Sequence, residues 1–285
     1  MEQEKVDILD ELKSIETEML KEFIFVCDKL NLKYYVIAGT LLGTVRHKGF
    51  IPWDDDIDVA MPRKDYELFL KEGQKYLSEN LFIQCIYTEK SAPFGFTKIR
   101  NSNTTFIESS VRKFKINHGV FIDVFPLDYY PENKKEKVKL ERKKSLLKQI
   151  IGKKYTIRNR TFMQKIKHFI RNVIFSFIPY RKAVDKLHIL YKSFPESNLW
   201  INHSGIYGER EIMPKDWYGE GEKLMFEGIE VTVPTNYTGW LTRVYGDYMQ
   251  LPPEEKRIAH HFNEVTDLKK SYKYYTVNCK EGEKL

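Results

Sequence analysis

The sequence predicts an α/β protein of the α+β type, in which a mixed sheet is flanked by helices and a basic helical region is added. Three observations predict this class: an amphipathic pattern near the N-terminus, short β-prone apolar runs between residues 34 and 125, and a lysine-rich stretch after them. Alternating apolar residues indicate strands, whereas apolar residues spaced three and four apart indicate helices. A chain of 285 residues is long enough to fold as one or two domains without disulfide bonds.

The predicted elements follow in order along the chain. A helix over residues 7–30 carries an apolar stripe that includes Leu12, Met19 and Phe23, and a second helix is expected at residues 65–77. Strands are predicted at residues 34–38, 56–61, 81–87, 94–100 and 119–125. We therefore divide the chain into three segments: an N-terminal helix with an α/β core (1–130), a basic helical insertion (131–195) and a C-terminal segment that completes the core domain (196–285).

Acidic residues follow one face of the second predicted strand. In Trp53-Asp54-Asp55-Asp56-Ile57-Asp58-Val59-Ala60-Met61, apolar residues alternate with Asp56 and Asp58, so both carboxylates lie on one side. Like charges side by side on a half-buried sheet repel each other unless a cation lies between them. Mg²⁺ prefers one or two carboxylates together with substrate phosphates. The alternative is a solvated acidic turn, because Asp-x-Asp spacing is common by chance.

A tight turn precedes the acidic strand. The apolar run 34–38 ends in Gly39-Thr40, and a helix start follows directly. Glycine lets a ligand approach the backbone, and the free N–H groups of a helix N-terminus favour phosphate. Arg46 and His47 then add cationic or donor groups. Together these features predict a nucleotide and metal site, although each alone is also typical of an ordinary turn with a surface charge.

A third carboxylate is predicted in a later strand. Residues 119–126 form an apolar run with a single charge, Asp123, in its middle. A buried isolated carboxylate is unfavourable unless it is paired or binds a metal. Asp123 could therefore help to hold a second metal ion or act as a base, whereas Asp128 is expected to be exposed in the following loop.

The stretch from Ala38 to Pro62 resembles the signature of the LicD family. Members are phosphocholine transferases of bacterial surface glycans, related to fukutin and fukutin-related protein within the nucleotidyltransferase superfamily. Residues 121–128 and 245–261 resemble the same family, so the resemblance covers about residues 30–262. It implies a nucleotidyltransferase-like mixed sheet as the catalytic core.

The resemblance implies roles for particular residues. Gly39 and Thr40 occupy the turn that touches nucleotide phosphates in this superfamily, and threonine keeps the hydroxyl of the commoner serine. Asp56, Asp58 and Asp123 match the metal-binding carboxylates and are expected to be the catalytic residues. Mg²⁺ is the expected cofactor, as two ions, with Mn²⁺ as a substitute.

The resemblance also implies the reaction. A CDP-activated alcohol, with CDP-choline expected first, gives its phospho-alcohol to a hydroxyl of a surface glycan such as lipopolysaccharide, teichoic acid or capsule, and CMP is released. CDP-ribitol and CDP-glycerol stay open as donors. The acceptor glycan is the expected partner, either free or lipid-linked.

Further side chains are candidates for substrate binding. Lys98 and Arg100 alternate on a predicted strand and share one face, where they either offset phosphate charge or face solvent. Arg46 and His47 are expected near phosphate. Trp53 is the aromatic residue nearest the acidic run, and quaternary ammonium groups bind aromatic faces.

Positive charge is concentrated in residues 134–192, where 19 Lys and Arg stand against 3 acidic residues, although the whole chain carries only +7. Within this block, residues 169–178 carry an apolar helical stripe with basic flanks. Such a helix suits an anionic membrane surface, and it equally suits ordinary packing into a core. Nucleic acid is not an expected partner, because no groove-reading motif or aromatic platform accompanies the charge.

Composition favours a cytoplasmic protein, with peripheral attachment at the inner face of the membrane left open by the basic stripe. Three scattered cysteines without a CxxC pair indicate neither a disulfide framework nor a cysteine zinc site. The acidic N-terminus is unlike a signal peptide, and no run of 18 uncharged apolar residues predicts a transmembrane helix. His260 and His261 are adjacent but lack metal-ligand spacing with another histidine, so their role stays open.

Two other classes stay open on the residues alone. A metal-dependent glycosyltransferase could hold a nucleotide sugar with its Asp-x-Asp, but the close Gly-Thr turn and the later Asp123 disfavour it. A non-catalytic membrane-associated scaffold could bind a structural ion, but all three expected metal ligands are present.

Overall fold

The structure, a computed structural model, describes residues 2–151, 179–259, 261 and 263–278. Its α-helices are α1 (Glu2–Leu30), α2 (Ala38–His47), α3 (Arg63–Glu72), α4 (Lys134–Ile151), α5 (Tyr180–Lys192), α6 (Lys215–Tyr218), α7 (Tyr237–Tyr245) and α8 (Tyr272–Asn278). Its strands are β1 (Tyr35–Val36), β2 (Asp58–Pro62), β3 (Leu81–Gln84), β4 (Thr97–Asn101), β5 (Thr105–Glu108), β6 (Val120–Tyr129), β7 (Leu199–Ile201), β8 (Ile212–Pro214), β9 (Glu222–Phe226), β10 (Ile229–Val233) and β11 (Asn263–Asp267). Short 3₁₀ turns occupy Gly73–Lys75, Gly208–Glu211 and Glu254–Lys256.

The central sheet has the strand order β1-β2-β6-β4-β3, with β7 paired to the end of β6 and β8 to β7. Strands β2 and β6 run parallel, and the other neighbours in this sheet are antiparallel. Two-stranded sheets pair β9 with β10 and β5 with β11. A mixed sheet with packed helices confirms the predicted α+β class.

Strand β6 forms the middle of the core. Nearly every one of its ten residues is buried, as expected for a strand covered on both faces. Helices α1 and α3 pack on it, and apolar side chains such as Phe23, Phe69 and Ile122 join in one hydrophobic cluster. This packing fixes the position of the strand that carries Asp123.

Strand β6 is longer than predicted, and this corrects the expectation for Asp128. The strand continues to Tyr129, so Asp128 lies within it and is buried. Its two carboxylate oxygens accept hydrogen bonds from the Arg63 guanidinium at 2.7 and 2.6 Å. The prediction of an exposed Asp128 was wrong because Arg63, at the start of α3, compensates the buried charge.

The segments after β6 attach to the core in two ways. Helices α4 and α5 pack together over Ile86, and β7 extends the sheet alongside β6.

The apolar stripe 169–178 lies outside the described residues, and the three-segment division stays a prediction. None of the helices within the described ranges combines the length and the apolar character needed to cross a bilayer.

Candidate active site

Three charged side chains meet where neighbouring strands are in register. Asp58, at the start of β2, is paired with Asp123 in β6, and Lys98 in β4 is paired with Asp123 from the other side. Side chains opposite each other in register point to the same face of a sheet. Lys98 Nζ donates to the two carboxylate oxygens of Asp123 at 2.8 and 3.2 Å. The sheet topology thus brings together residues that are far apart in sequence.

The carboxylates at this point repel one another. Burial, followed by the charges of Asp56 and Asp123, raises the pKa of Asp58 well above its usual value. Burial and the charge of Asp54 raise the pKa of Asp56 to about 7. Burial also raises the pKa of Asp123, although Lys98 opposes the shift. Such a cluster holds protons near neutral pH, and a bound divalent cation would replace them.

The turn into α2 packs directly on this cluster. Ala38 adopts a left-handed backbone conformation with φ of 49°, a strained position of the kind found at functional sites. A Cβ added to Gly39 would lie 2.5 Å from an Asp54 carboxylate oxygen, so only glycine fits beside Asp54. Thr40 Oγ1 accepts a hydrogen bond of 2.8 Å from the Asp58 N–H. The Gly-Thr turn therefore holds the acidic strand in place.

A cavity of about 810 Å³ opens over the carboxylates. Its walls include residues from the C-terminal segment, among them Tyr207, Tyr245 and Tyr248. The residues predicted for the site that line it are Gly39, Arg46, Trp53, Asp56, Asp58, Lys98 and Asp123. The volume suits a nucleotide-sized ligand.

Arg100, Thr40 and His47 do not line this cavity. The Arg100 side chain is fully buried and donates to Gln84, the Gly119 carbonyl and Glu108 at 2.8–2.9 Å. Arg100 and Lys98 do share a face, but Arg100 lies deeper, which corrects the expectation that it contacts substrate.

The placements of Thr40 and His47 have their own reasons. The Thr40 side chain is buried, with its hydroxyl held by the Asp58 N–H. The imidazole of His47 accepts a hydrogen bond from Arg46 Nε at 2.9 Å. Both side chains thus support neighbouring residues. Because neither lines the cavity, neither makes the expected direct contact with phosphate.

Asp54, Asp55 and His261 are part of the site, although the sequence indicated an exposed acidic turn for the two aspartates as an alternative. Both aspartates are buried. The Asp55 carboxylate lies 3.3 Å from His261 Nδ1 and accepts the His261 N–H at 3.2 Å. Burial opposes protonation of His261, but the bond to Asp55 and the charge of Asp56 raise its pKa to about 9. His260 lies outside the described residues.

These residues offer a second set of ligand atoms. One atom each from Asp55, Asp56 and His261 lies within 4.8 Å of the others. The set combines oxygen with nitrogen, which suits Mn²⁺ or Zn²⁺ better than Mg²⁺. Asp56 is common to this set and to the predicted carboxylate triad.

Glu108 is a site residue that the sequence analysis missed. It lines the cavity, and it lies 2.9 Å from Arg100 and 3.8 Å from Lys98. Burial opposes its ionisation, but Lys98 and Arg100 lower its pKa to about 2. The available signal was a single acid ending an apolar β-prone run, the same kind of signal that identified Asp123.

Comparisons with known proteins agree on one family. Residues 31–144 match the family model described as "LicD/FKTN/FKRP, nucleotidyltransferase domain". The chain is 31% identical over 265 residues to the lipopolysaccharide cholinephosphotransferase LicD of Haemophilus influenzae, covering 87% of this chain and 93% of that protein. It is 25% identical over 116 residues to the ribitol 5-phosphate transferase FKRP of Homo sapiens, covering 39% of this chain and 23% of that protein.

Proposed function

The chain belongs to the LicD family and is a transferase. On that premise, we propose that it transfers phosphocholine from CDP-choline to a hydroxyl of a bacterial surface glycan such as lipopolysaccharide. The observation that carries the proposal is the register of Asp58, Asp123 and Lys98 on three adjacent strands beneath one cavity. The Haemophilus influenzae relative, a lipopolysaccharide cholinephosphotransferase, supports choline and lipopolysaccharide. The human relative supports ribitol phosphate transfer as the second candidate.

The proposed step is a displacement at phosphorus. The acceptor oxygen bonds to the phosphorus that carries choline, and the bond from that phosphorus to the CMP oxygen breaks, so CMP leaves with the bonding electrons. We propose that Asp123 accepts the proton of the hydroxyl, because burial raises its pKa. Lys98 and Arg46 line the same cavity and would offset the phosphate charge.

We propose that Asp56, Asp58 and Asp123 hold Mg²⁺, as two ions, with Mn²⁺ as a substitute. The hard oxygen donors fit this cation, and the mutual repulsion that raises the pKa of Asp58 fits a site built for positive charge. When bound, the metal would offset charge on the transferred phosphate. We expect the protein to act on cytoplasmic donors, with attachment to the inner face of the membrane as a separate proposal.

The proposal is tested by CMP release from CDP-choline, CDP-ribitol, CDP-glycerol and CDP-ethanolamine, each with Mg²⁺ and with EDTA. We expect Mg²⁺-dependent turnover of CDP-choline when lipopolysaccharide is supplied. Turnover of CDP-ribitol alone would select the second candidate. Release of UDP from UDP-sugars, with no CMP from any donor, would instead support a glycosyltransferase and overturn the proposal.

The metal proposal predicts a pH-dependent stabilisation. Folding raises the pKa of Asp56 from 3.8 to about 7 and that of Asp54 to about 6, through burial first and neighbouring aspartates second. Carboxyls with raised pKa values favour the folded state while protonated, so stability of the metal-free protein falls as pH rises from about 4 to about 7. Mg²⁺ should therefore raise Tm more at about pH 8 than at about pH 5. At a Mg²⁺ concentration of 100 times Kd, this difference corresponds to about 2–3 kcal/mol in the free energy of unfolding.

Thermal unfolding with and without Mg²⁺ measures this difference. Asp56→Asn should lose most of the Mg²⁺-dependent shift at the higher pH. An equal shift at both pH values, or an undiminished shift in Asp56→Asn, would contradict the assignment of Mg²⁺ to these carboxylates.

A further inference from the structure

Another buried carboxylate, Glu211, also lines the cavity. Glu211 is the last residue of the 3₁₀ turn Gly208–Glu211 and is only 4% exposed. Glu211 Oε1 accepts the Tyr207 N–H at 2.9 Å, and the Asn202 side chain also hydrogen-bonds the carboxylate. A Cβ at Gly205 would overlap this carboxylate, so the loop is shaped around it.

The charge of Glu211 is not matched by an ion pair within the described part of the chain. Among the residues that the structure describes, Lys148 is the cation whose charge lowers the pKa of Glu211, and the Lys148 ammonium donates to the His203 carbonyl at 3.2 Å. Burial raises the pKa of Glu211 to about 7, although the Tyr207 N–H, Asn202 and Lys148 each lower it. A cationic ligand would stabilise the ionised form of such a group.

Two aromatic side chains, Tyr207 and Tyr245, line the cavity together with Glu211. The rings of Tyr207 and Tyr245 meet edge to face at 5.2 Å, and their hydroxyls are 2.9 Å apart. Tyr207 is also the residue whose N–H binds Glu211. Trp53 is a poorer choice for a cation, because the Arg257 guanidinium already lies 5.6 Å from the centre of its ring.

The two tyrosines line the same cavity as Glu211 and Asp58. Burial first, and then the charges of Asp58 and Glu211, raise the pKa of Tyr207, whereas its hydrogen bond with Tyr245 lowers it. The charge of Asp58 also raises the pKa of Tyr245. Because Asp58 and Glu211 line one cavity, a ligand bound there can direct its phosphate to Asp58 and its cationic end to Glu211.

We propose that Glu211 is the counter-ion of the choline trimethylammonium group, which packs against Tyr207 and Tyr245. A quaternary ammonium has no N–H to donate, and it is bound by charge and aromatic faces. Glu211 fits this chemistry because its hydrogen-bonding capacity is partly used by Tyr207 N–H and Asn202. The inference rests on the proposed function and assigns the residue that selects choline over uncharged alcohols.

The test compares CDP-choline with CDP-3,3-dimethylbutanol, in which a carbon replaces the nitrogen, so shape is kept and charge is lost. The wild-type protein should prefer CDP-choline by about tenfold or more in kcat/KM. Glu211→Gln keeps an acceptor for the Tyr207 N–H and should lose most of this preference, mainly through KM for CDP-choline. Glu209→Gln, an exposed acid in the same turn, should keep the preference.

Each outcome has a separate meaning. Full preference in Glu211→Gln, or an equal loss for both donors, would overturn the inference while leaving the proposed function standing. No turnover of either donor by the wild-type protein would overturn the proposed function itself. If Glu211→Gln does not fold, inhibition of the wild-type protein decides: phosphocholine should bind about tenfold tighter than 3,3-dimethylbutyl phosphate, and equal binding would overturn the inference.

Discussion

Asp58→Asn is expected to lower kcat for CMP release by about 10³-fold or more, with the fold retained. Asp58 is held at the centre of the site by strand register with Asp123 and by the hydrogen bond from its N–H to Thr40. Asparagine keeps the size of the side chain but removes the charge that a metal ion and its phosphate ligand require. The readout is CMP release from CDP-choline with Mg²⁺, beside a circular dichroism spectrum of the same sample.

The same variant carries an internal check on folding. Burial and neighbouring aspartates raise the pKa of Asp58 well above its usual value, so a neutral asparagine avoids the cost of holding this carboxyl in the folded site. The Tm of the metal-free variant should therefore match or exceed that of the wild type. Asp28→Asn, at an exposed position in α1, should change neither activity nor Tm. Wild-type turnover by Asp58→Asn would remove Asp58 from the metal site.

Arg100→Met is expected to lower the free energy of unfolding by about 3–5 kcal/mol. The Arg100 guanidinium is fully buried and pairs with Glu108 at 2.9 Å. Without it, the ion pair left to Glu108 among the described residues is the more distant one with Lys98 at 3.8 Å, and a buried carboxylate is left largely uncompensated. Urea unfolding of the two proteins measures the loss.

A double variant separates the structural role from a substrate-binding role. Adding Glu108→Gln to Arg100→Met removes the uncompensated charge, so part of the lost stability should return. Arg112→Met changes an exposed ion pair with Glu264 and should cost less than about 1 kcal/mol. Wild-type stability with a raised KM in Arg100→Met would show instead that Arg100 contacts substrate.

The sequence allowed the prediction of the acidic strand and of its partner, because both signals are local. Asp56 and Asp58 alternate with apolar residues, and Asp123 is a single charge within an apolar run. Their meeting depends on the parallel pairing of β2 with β6, which no local pattern encodes. The family resemblance supplied that link.

The sequence did not predict how deeply each side chain is buried. Lys98 and Arg100 follow the same alternation, yet Lys98 lines the cavity and Arg100 lies beneath it. The difference arises from Glu108, which comes from another strand and binds Arg100. The alternation of residues along a strand predicts which of them share a face, but it does not predict what covers that face.

The C-terminal contribution to the site also depended on tertiary structure. His261 reaches Asp55 across more than 200 residues of chain, and Glu211 sits in an irregular loop without periodicity. The second group of side chains that could hold a metal ion, His261 with Asp55 and Asp56, comes together only once the chain has folded back.

The most direct test of the central claim is ³¹P NMR of the complete reaction, with CDP-choline, lipopolysaccharide and Mg²⁺. We expect CMP and a glycan-linked phosphocholine diester to form in equal amounts, and both signals to be absent with EDTA and in Asp58→Asn. Formation of CMP and the diester at an undiminished rate with EDTA would contradict metal-dependent transfer. Phosphocholine released only to water, with no diester on the glycan, would contradict transfer to a surface glycan.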